Sequence, residues 1–152
     1  MIDRFERFSN EIMEAFRYWH KISSDEMEKI GLKGAYCTYF SAMSRFEDGL
    51  TATQLCELCY KDKADVSRAV SDLEKRGYVT KESNGTNFYR ARIMLTEEGK
   101  RIADFVQQRV NLAVSLAGNG IADDDRNVFY STLRSILNNL EQISINGLPE
   151  EE

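Results

Sequence analysis

Few residues in this 152-residue chain have obvious chemical reach: one histidine, His20, three cysteines, and a run of basic side chains between Lys61 and Arg101. Cys56-x-x-Cys59 has the spacing of a redox or metal pair, but zinc takes four ligands, and no second cysteine pair or nearby histidine supplies the rest. Both cysteines also fall where two packed helices need small or apolar residues, so core packing is the reading adopted. Cys37 lies elsewhere, next to Tyr36 and near Tyr39; its only chemical role left open is that of an oxidant sensor. No phosphate-cradling glycine loop, nucleophile elbow or metal-ligand spacing is present, so neither an enzyme nor a cofactor is expected. The basic residues differ, because Lys63, Arg68, Arg90 and Arg92 sit among strong helix and hairpin signals where they could meet phosphates or base edges.

The elements that would position them follow from spacing. Thr51 with Gln54 three residues on fits a capping box, so a helix starts there. Leu55, Cys56 and Cys59 share one face of it. Tyr60 and Lys61 form a turn, and Asp62 suits the cap of a second helix. In that helix Val66, Ala69, Val70 and Leu73 form the buried stripe, leaving Lys63, Asp65, Ser67, Arg68, Ser71 and Asp72 on the other face. Gly77 fits a left-handed C-cap. Tyr78–Lys81 then reads as a strand, Asn84-Gly85 as a hairpin turn, and Phe88–Leu95 as the returning strand with Arg90, Arg92 and Met94 on its outer face. Thr96 caps a long helix. This is the order of a winged helix-turn-helix, which lays one helix in a DNA major groove and a hairpin beside it. The expected class is mainly α with a small β-hairpin wing.

Leu50-Thr51, Leu55-Cys56, Val66-Ser67-Arg68, Leu73 to Val79 and Leu95 to Gly99 stand in the order and spacing of the MarR family of bacterial transcriptional regulators, which this segment resembles. The resemblance implies a homodimer on double-stranded DNA, with Lys63, Asp65, Ser67, Arg68 and Ser71 at the major groove and Arg90 and Arg92 on the wing. One departure stands out. Where the family carries Asp-x-Arg in the wing, this chain has Asn87 and Tyr89.

The flanking segments read as helical arms. Ile2, Phe5, Phe8, Ile12, Phe16 and Trp19 step by three or four residues, and Val128, Phe129, Leu133, Ile136, Leu137, Leu140 and Ile143 mark a last helix. Both are more apolar than chain ends of a small monomer require. As the resemblance implies long N- and C-terminal dimerisation helices, Ile2, Phe5, Phe8, Ile12, Leu133, Ile136, Leu137 and Leu140 are the expected dimer contacts. Two-fold symmetry would then match a pseudo-palindromic operator. Trp19, His20, Tyr36, Tyr39 and Phe40 are candidate walls of a pocket for a small aromatic ligand, with ordinary core packing as the alternative.

Segment boundaries fall at 1–48 for the N-terminal helices, 49–96 for the winged helix, 97–146 for the C-terminal helices and 147–152 for an acidic tail expected to be disordered. Together they form one structural domain. With 42% apolar residues and no apolar run approaching a membrane span, a cytoplasmic protein with no membrane partner is expected. Net charge is −5, yet residues 61–101 hold ten Lys/Arg against seven Asp/Glu, a local +3. An acidic body with a basic head suits a DNA-binding regulator, a repressor released by a ligand. The competing reading is a winged helix used for protein–protein contact, which would show a large apolar patch on the head.

Overall fold

The local signals around the helix pair do set its boundaries. The computed structural model describes residues 4–83 and 90–150, with side chains from Glu6 onward. In chain order the elements are α1 (Arg4–Glu28), α2 (Tyr36–Met43), α3 (Ala52–Cys59), α4 (Lys63–Lys75), β1 (Val79–Glu82), β2 (Arg92–Leu95), α5 (Glu97–Ala117) and α6 (Asp123–Asn146). At the start of α3 both halves of the capping box form: the Thr51 hydroxyl accepts from the Gln54 N–H at 3.2 Å, and the Thr51 N–H donates to Gln54 Oε1 at 2.9 Å. Asp62 caps α4 by accepting from the Asp65 N–H at 2.8 Å. Each such cap stabilises by about 1 kcal/mol.

The C-terminus of α4 closes in a Schellman arrangement. Gly77, at φ +79°, lets its own N–H reach the Glu74 carbonyl while the Tyr78 N–H reaches that of Leu73. That turn feeds β1 directly. β1 and β2 pair antiparallel, with Val79 opposite Leu95 and Glu82 opposite Arg92. Leu50 adds a bridge to the far side of β2, exchanging both backbone hydrogen bonds with Ile93 at 3.0 and 2.8 Å. Thr96 then caps α5: its hydroxyl accepts from the Gly99 N–H at 3.0 Å and donates to the Gly77 carbonyl at 2.6 Å. One side chain therefore joins the end of α4 to the start of α5.

Two strand expectations are corrected. The first strand runs Val79–Glu82 rather than Tyr78–Lys81, since Tyr78 is used by the helix-terminal turn. The returning strand begins at Arg92, and Arg90 precedes it, outside the ladder. The Asn84-Gly85 turn, Asn87, Phe88 and Tyr89 lie outside the described residues.

The chain divides into two compact units, Met1–Asn111 and Leu112–Glu152. The core of the first gathers Met27 and Leu32 with Tyr36, Tyr39, Phe40 and Met43 of α2. Leu55 of α3, Val66, Val70 and Leu73 of α4, and Ala103 and Val106 of α5 complete it. In the second unit Arg126 donates to the carbonyls of Gly118 and Ile121 at 3.1 and 3.2 Å, satisfying carbonyls at the turn that ends α5. No residue of α6 is buried. Among the described residues no helix is long and apolar enough to cross a membrane.

Candidate nucleic-acid interface

The site is the outer face of α4. Val66, Ala69, Val70 and Leu73 are buried as their spacing requires, so the helix cannot rotate without exposing four apolar side chains. Lys63, Ser67 and Arg68 consequently face solvent, and Ser71 is half-buried at the rim. Ala64 and Lys75, not singled out from the sequence, are also exposed. Their helical spacing with Arg68 and Ser71 was the available signal.

Two acidic residues on this helix serve the fold or their neighbours. Asp65 is half-buried and pairs with Arg68 one turn later, restraining that guanidinium. Asp72, expected on the reading face, instead turns toward α2. Its Oδ2 accepts from the Tyr36 hydroxyl at 2.7 Å and from Arg76 Nε at 2.9 Å. The Tyr36 bond, with Arg76, holds the Asp72 carboxyl below the usual range, while burial and then Asp72 push the Tyr36 phenol up to about 12. At neutral pH the proton stays on tyrosine and the charge on aspartate. A carboxylate satisfied this way is not available to a base.

The wing residues also differ from expectation. Arg92 Nη1 donates to the Gly49 carbonyl at 2.9 Å and more weakly to that of Asp48 at 3.4 Å, tying β2 to the segment before α3. Arg90 is exposed outside the strand, so the two arginines do not form one outer row. A groove of about 350 Å³ runs between the helix pair and the wing, where Lys63, Ser67 and Lys81 are brought together over Val66, Val70 and Ile93. Lys81 was not expected; it pairs with Glu74 at 2.9 Å across the α4–β1 turn. Only its tertiary position, beyond the reach of local pattern, reveals it.

A MarR family model matches residues 30–87, which hold α2, the helix pair and the first strand of the wing. Over that stretch the chain is similar to the MarR family. An uncharacterized HTH-type transcriptional regulator of Bacillus subtilis, YybA, is 21% identical over 94 residues, spanning 62% of this chain and 63%, just under two thirds, of that relative. A MarR transcriptional regulator from Methanosarcina mazei shares the fold at TM-score 0.79 and 22% identity, covering 91% of this chain and 99% of its own. A MarR family regulator from Listeria monocytogenes, complexed with 26mer DNA, superposes at TM-score 0.81 and 20% identity over 100% of each chain.

On this frame the expected ligand residues do not form one pocket. Phe40 is fully buried and meets the Tyr78 ring edge-on at 6.0 Å, while Tyr36 and Tyr39 pack against each other at 6.4 Å. Trp19 is 39% exposed on α1, and the exposed His20 stacks beside Phe16. The three α2 aromatics are core; the two α1 residues are surface. Of the expected dimer contacts, Phe8, Leu133 and Ile136 are half-buried and Ile12, Leu137 and Leu140 are exposed. Ile2 and the Phe5 side chain lie outside the described residues.

The cysteines behave as packing residues. Cys37 and Cys59 are buried and Cys56 half-buried. Burial pushes the Cys59 thiol up to about 11 and also raises that of Cys37, which disfavours the reactive thiolate in both. Among the described residues no group of His, Cys, Asp and Glu is placed to hold a metal ion.

Proposed function

We propose that this protein is a homodimeric transcriptional regulator that reads double-stranded DNA with α4. The observation carrying this reading is the division of α4 into a fully packed stripe and an exposed face holding Lys63, Ser67 and Arg68. Arginine is suited to bidentate contact with guanine, and lysine and serine to phosphate or base edges. The Listeria relative complexed with DNA supports the same assignment. So does the head itself: among its described residues the exposed large apolar side chains are Leu58 and Tyr60, which do not make the apolar patch of a protein-docking surface.

Dimerisation is supported by α6. A 24-residue helix with no buried residue exposes Val128, Phe129, Leu137, Leu140 and Ile143. An amphipathic helix draws most of its stability from covering such a face. A second copy would cover it and set two reading helices on a pseudo-palindromic site. The family resemblance adds a repressor's role in the cytoplasm, occluding a promoter until a small ligand that prefers one dimer geometry shifts the spacing of the heads.

The test is selection of genomic fragments by the purified protein at fixed salt, with Arg68→Ala alongside. Wild type should enrich a palindromic site and the variant should not. Equal enrichment by both would remove Arg68 from the site; no enrichment by wild type under reducing conditions would sink the DNA-binding reading.

A further inference from the structure

Beside Arg68, on the flank of α4 away from the wing, lies a cleft of about 220 Å³. Three cations line it from three parts of the chain: Lys33 from the segment before α2, Lys61 from the turn between α3 and α4, and Arg68 from α4 itself. Arg68 is paired with Asp65, whereas Lys33 and Lys61 have no ion-pair partner among the described residues. Lys61 is fixed at its root, because its N–H donates to the Cys56 carbonyl at 3.0 Å. Lys33 lies over the Tyr36 ring, its Nζ 5.7 Å from the centroid. Three positive side chains against Asp65 in the lining, with the Asp72 charge near Lys33, leave this small concavity with an excess of positive charge.

Size decides between occupants. Sites for organic ligands enclose roughly 300–1,000 Å³, so this open cleft is small for one yet ample for a phosphate group. A duplex lying on Arg68 would bring its backbone past the same flank.

The geometry points to a phosphate seat: Lys33 and Lys61 grip one DNA backbone phosphate beside Arg68 and set the register of α4 without reading sequence. This rests on the DNA-binding reading. Side chains from two separate loops converging on one phosphate would fix the helix at a second point, as backbone contacts do in general.

The experiment compares wild type, the Lys33→Ala/Lys61→Ala pair and the Lys33→Arg/Lys61→Arg pair on two 26-base-pair duplexes, one enriched in the genomic selection and one of scrambled sequence, at several salt concentrations. Releasing one phosphate contact lowers the slope of log K against log salt by about 0.9 for each bound subunit, which is roughly eight-fold in affinity per subunit at 0.1 M salt. The alanine pair should show that loss on both duplexes alike, and the arginine pair should retain the wild-type slope. An unchanged slope in the alanine pair would overturn the seat and leave the DNA reading intact. A loss confined to the selected duplex would overturn it too, showing that these lysines read bases. If wild type binds neither duplex at low salt, both readings fail together.

Discussion

The Tyr36 hydroxyl donates to the Asp72 carboxylate at 2.7 Å, a bond between residues 36 positions apart that fastens α2 to α4. Arg76 extends the link, donating to the same carboxylate oxygen at 2.9 Å and reaching the Gly31 carbonyl at 3.4 Å. The rotation of α4 is thus held from two directions: by its apolar stripe from beneath and by this polar chain from the side. Any shift of the segment between α1 and α2 would be felt at the exposed face of α4.

Tyr36→Phe removes the hydroxyl and leaves the ring. Asp72 keeps Arg76, so the expected cost is that of one charge-assisted hydrogen bond, about 1.5 kcal/mol. For a chain of this size that corresponds to a fall in Tm of roughly 3–6 °C. Thermal melts at neutral pH check it. Tyr36→Phe combined with Asp72→Ala should cost less than the two single changes added together, because both remove the same bond. Strict additivity would show that the bond contributes nothing.

How much of this was legible beforehand depends on distance along the chain. The Thr51–Gln54 box, the Asp62 cap, the four-residue stripe of α4 and the Gly77 turn are local devices, none reaching beyond Val66 to Leu73 in length, and all four form as read. The Arg92–Gly49 and Tyr36–Asp72 bonds cross 43 and 36 residues, and no periodicity encodes such partners. The same blindness explains the dispersed pocket. Helical spacing identified Trp19 and Phe40 as aromatic positions on helices, but burial is decided by what covers each face. Phe40 is enclosed by the head, whereas Trp19 remains at the surface of α1. Strand alternation puts Arg92 on the outer face of the wing but carries no information on the Gly49 carbonyl that its guanidinium reaches.

Glu26 predicts a pH dependence. Arg109 Nε lies 2.6 Å from its Oε2 and Lys29 Nζ 2.5 Å from its Oε1, and these two partners, Arg109 foremost, lower its carboxyl from 4.5 to about 2. A carboxylate with a lowered pKa in the folded state stabilises at pH values above its ordinary pKa. That contribution is lost as pH falls from about 4.5 to about 2. Glu26→Gln should therefore melt below wild type at pH 7, with the gap narrowing as the solution is acidified through this window. Melting curves between pH 2 and 7 at constant ionic strength measure it. A gap independent of pH would mean that the pairing with Arg109 is not the source.

Gly99 is required for a steric reason. A Cβ there would stand 2.0 Å from the Tyr78 carbonyl oxygen and 3.0 Å from its carbon. That carbonyl cannot retreat cheaply, since it accepts from the Thr96 N–H at 3.0 Å while the Tyr78 N–H is bound to Leu73. Gly99→Ala should cost about 3 kcal/mol or more, at the upper end of overpacking effects. Gly118→Ala is the contrast: its Cβ would meet mainly the Arg126 guanidinium at 3.3 Å, and a flexible side chain can move aside. Denaturant unfolding of both variants should separate them clearly; equal losses would contradict the packing read at Gly99.

Tyr60 offers a stabilising change. It is the one non-glycine among the described residues with positive φ, at 53°, and its side chain is 93% exposed. The left-handed conformation costs an ordinary L-residue about 1 kcal/mol, and asparagine tolerates it better. Because the ring is almost wholly in water, replacing it sacrifices little burial. Tyr60→Asn should therefore raise stability by about 0.5–1 kcal/mol, and Tyr60→Val, with a branched Cβ in the same conformation, should lower it. Lys61 follows directly in the turn, and its backbone bond to Cys56 does not involve the Tyr60 ring. DNA affinity of the asparagine variant should consequently match wild type in the same salt. If Tyr60→Asn gains stability yet loses affinity several-fold, the exposed ring itself touches the duplex, and the strain at this turn is retained for contact with DNA.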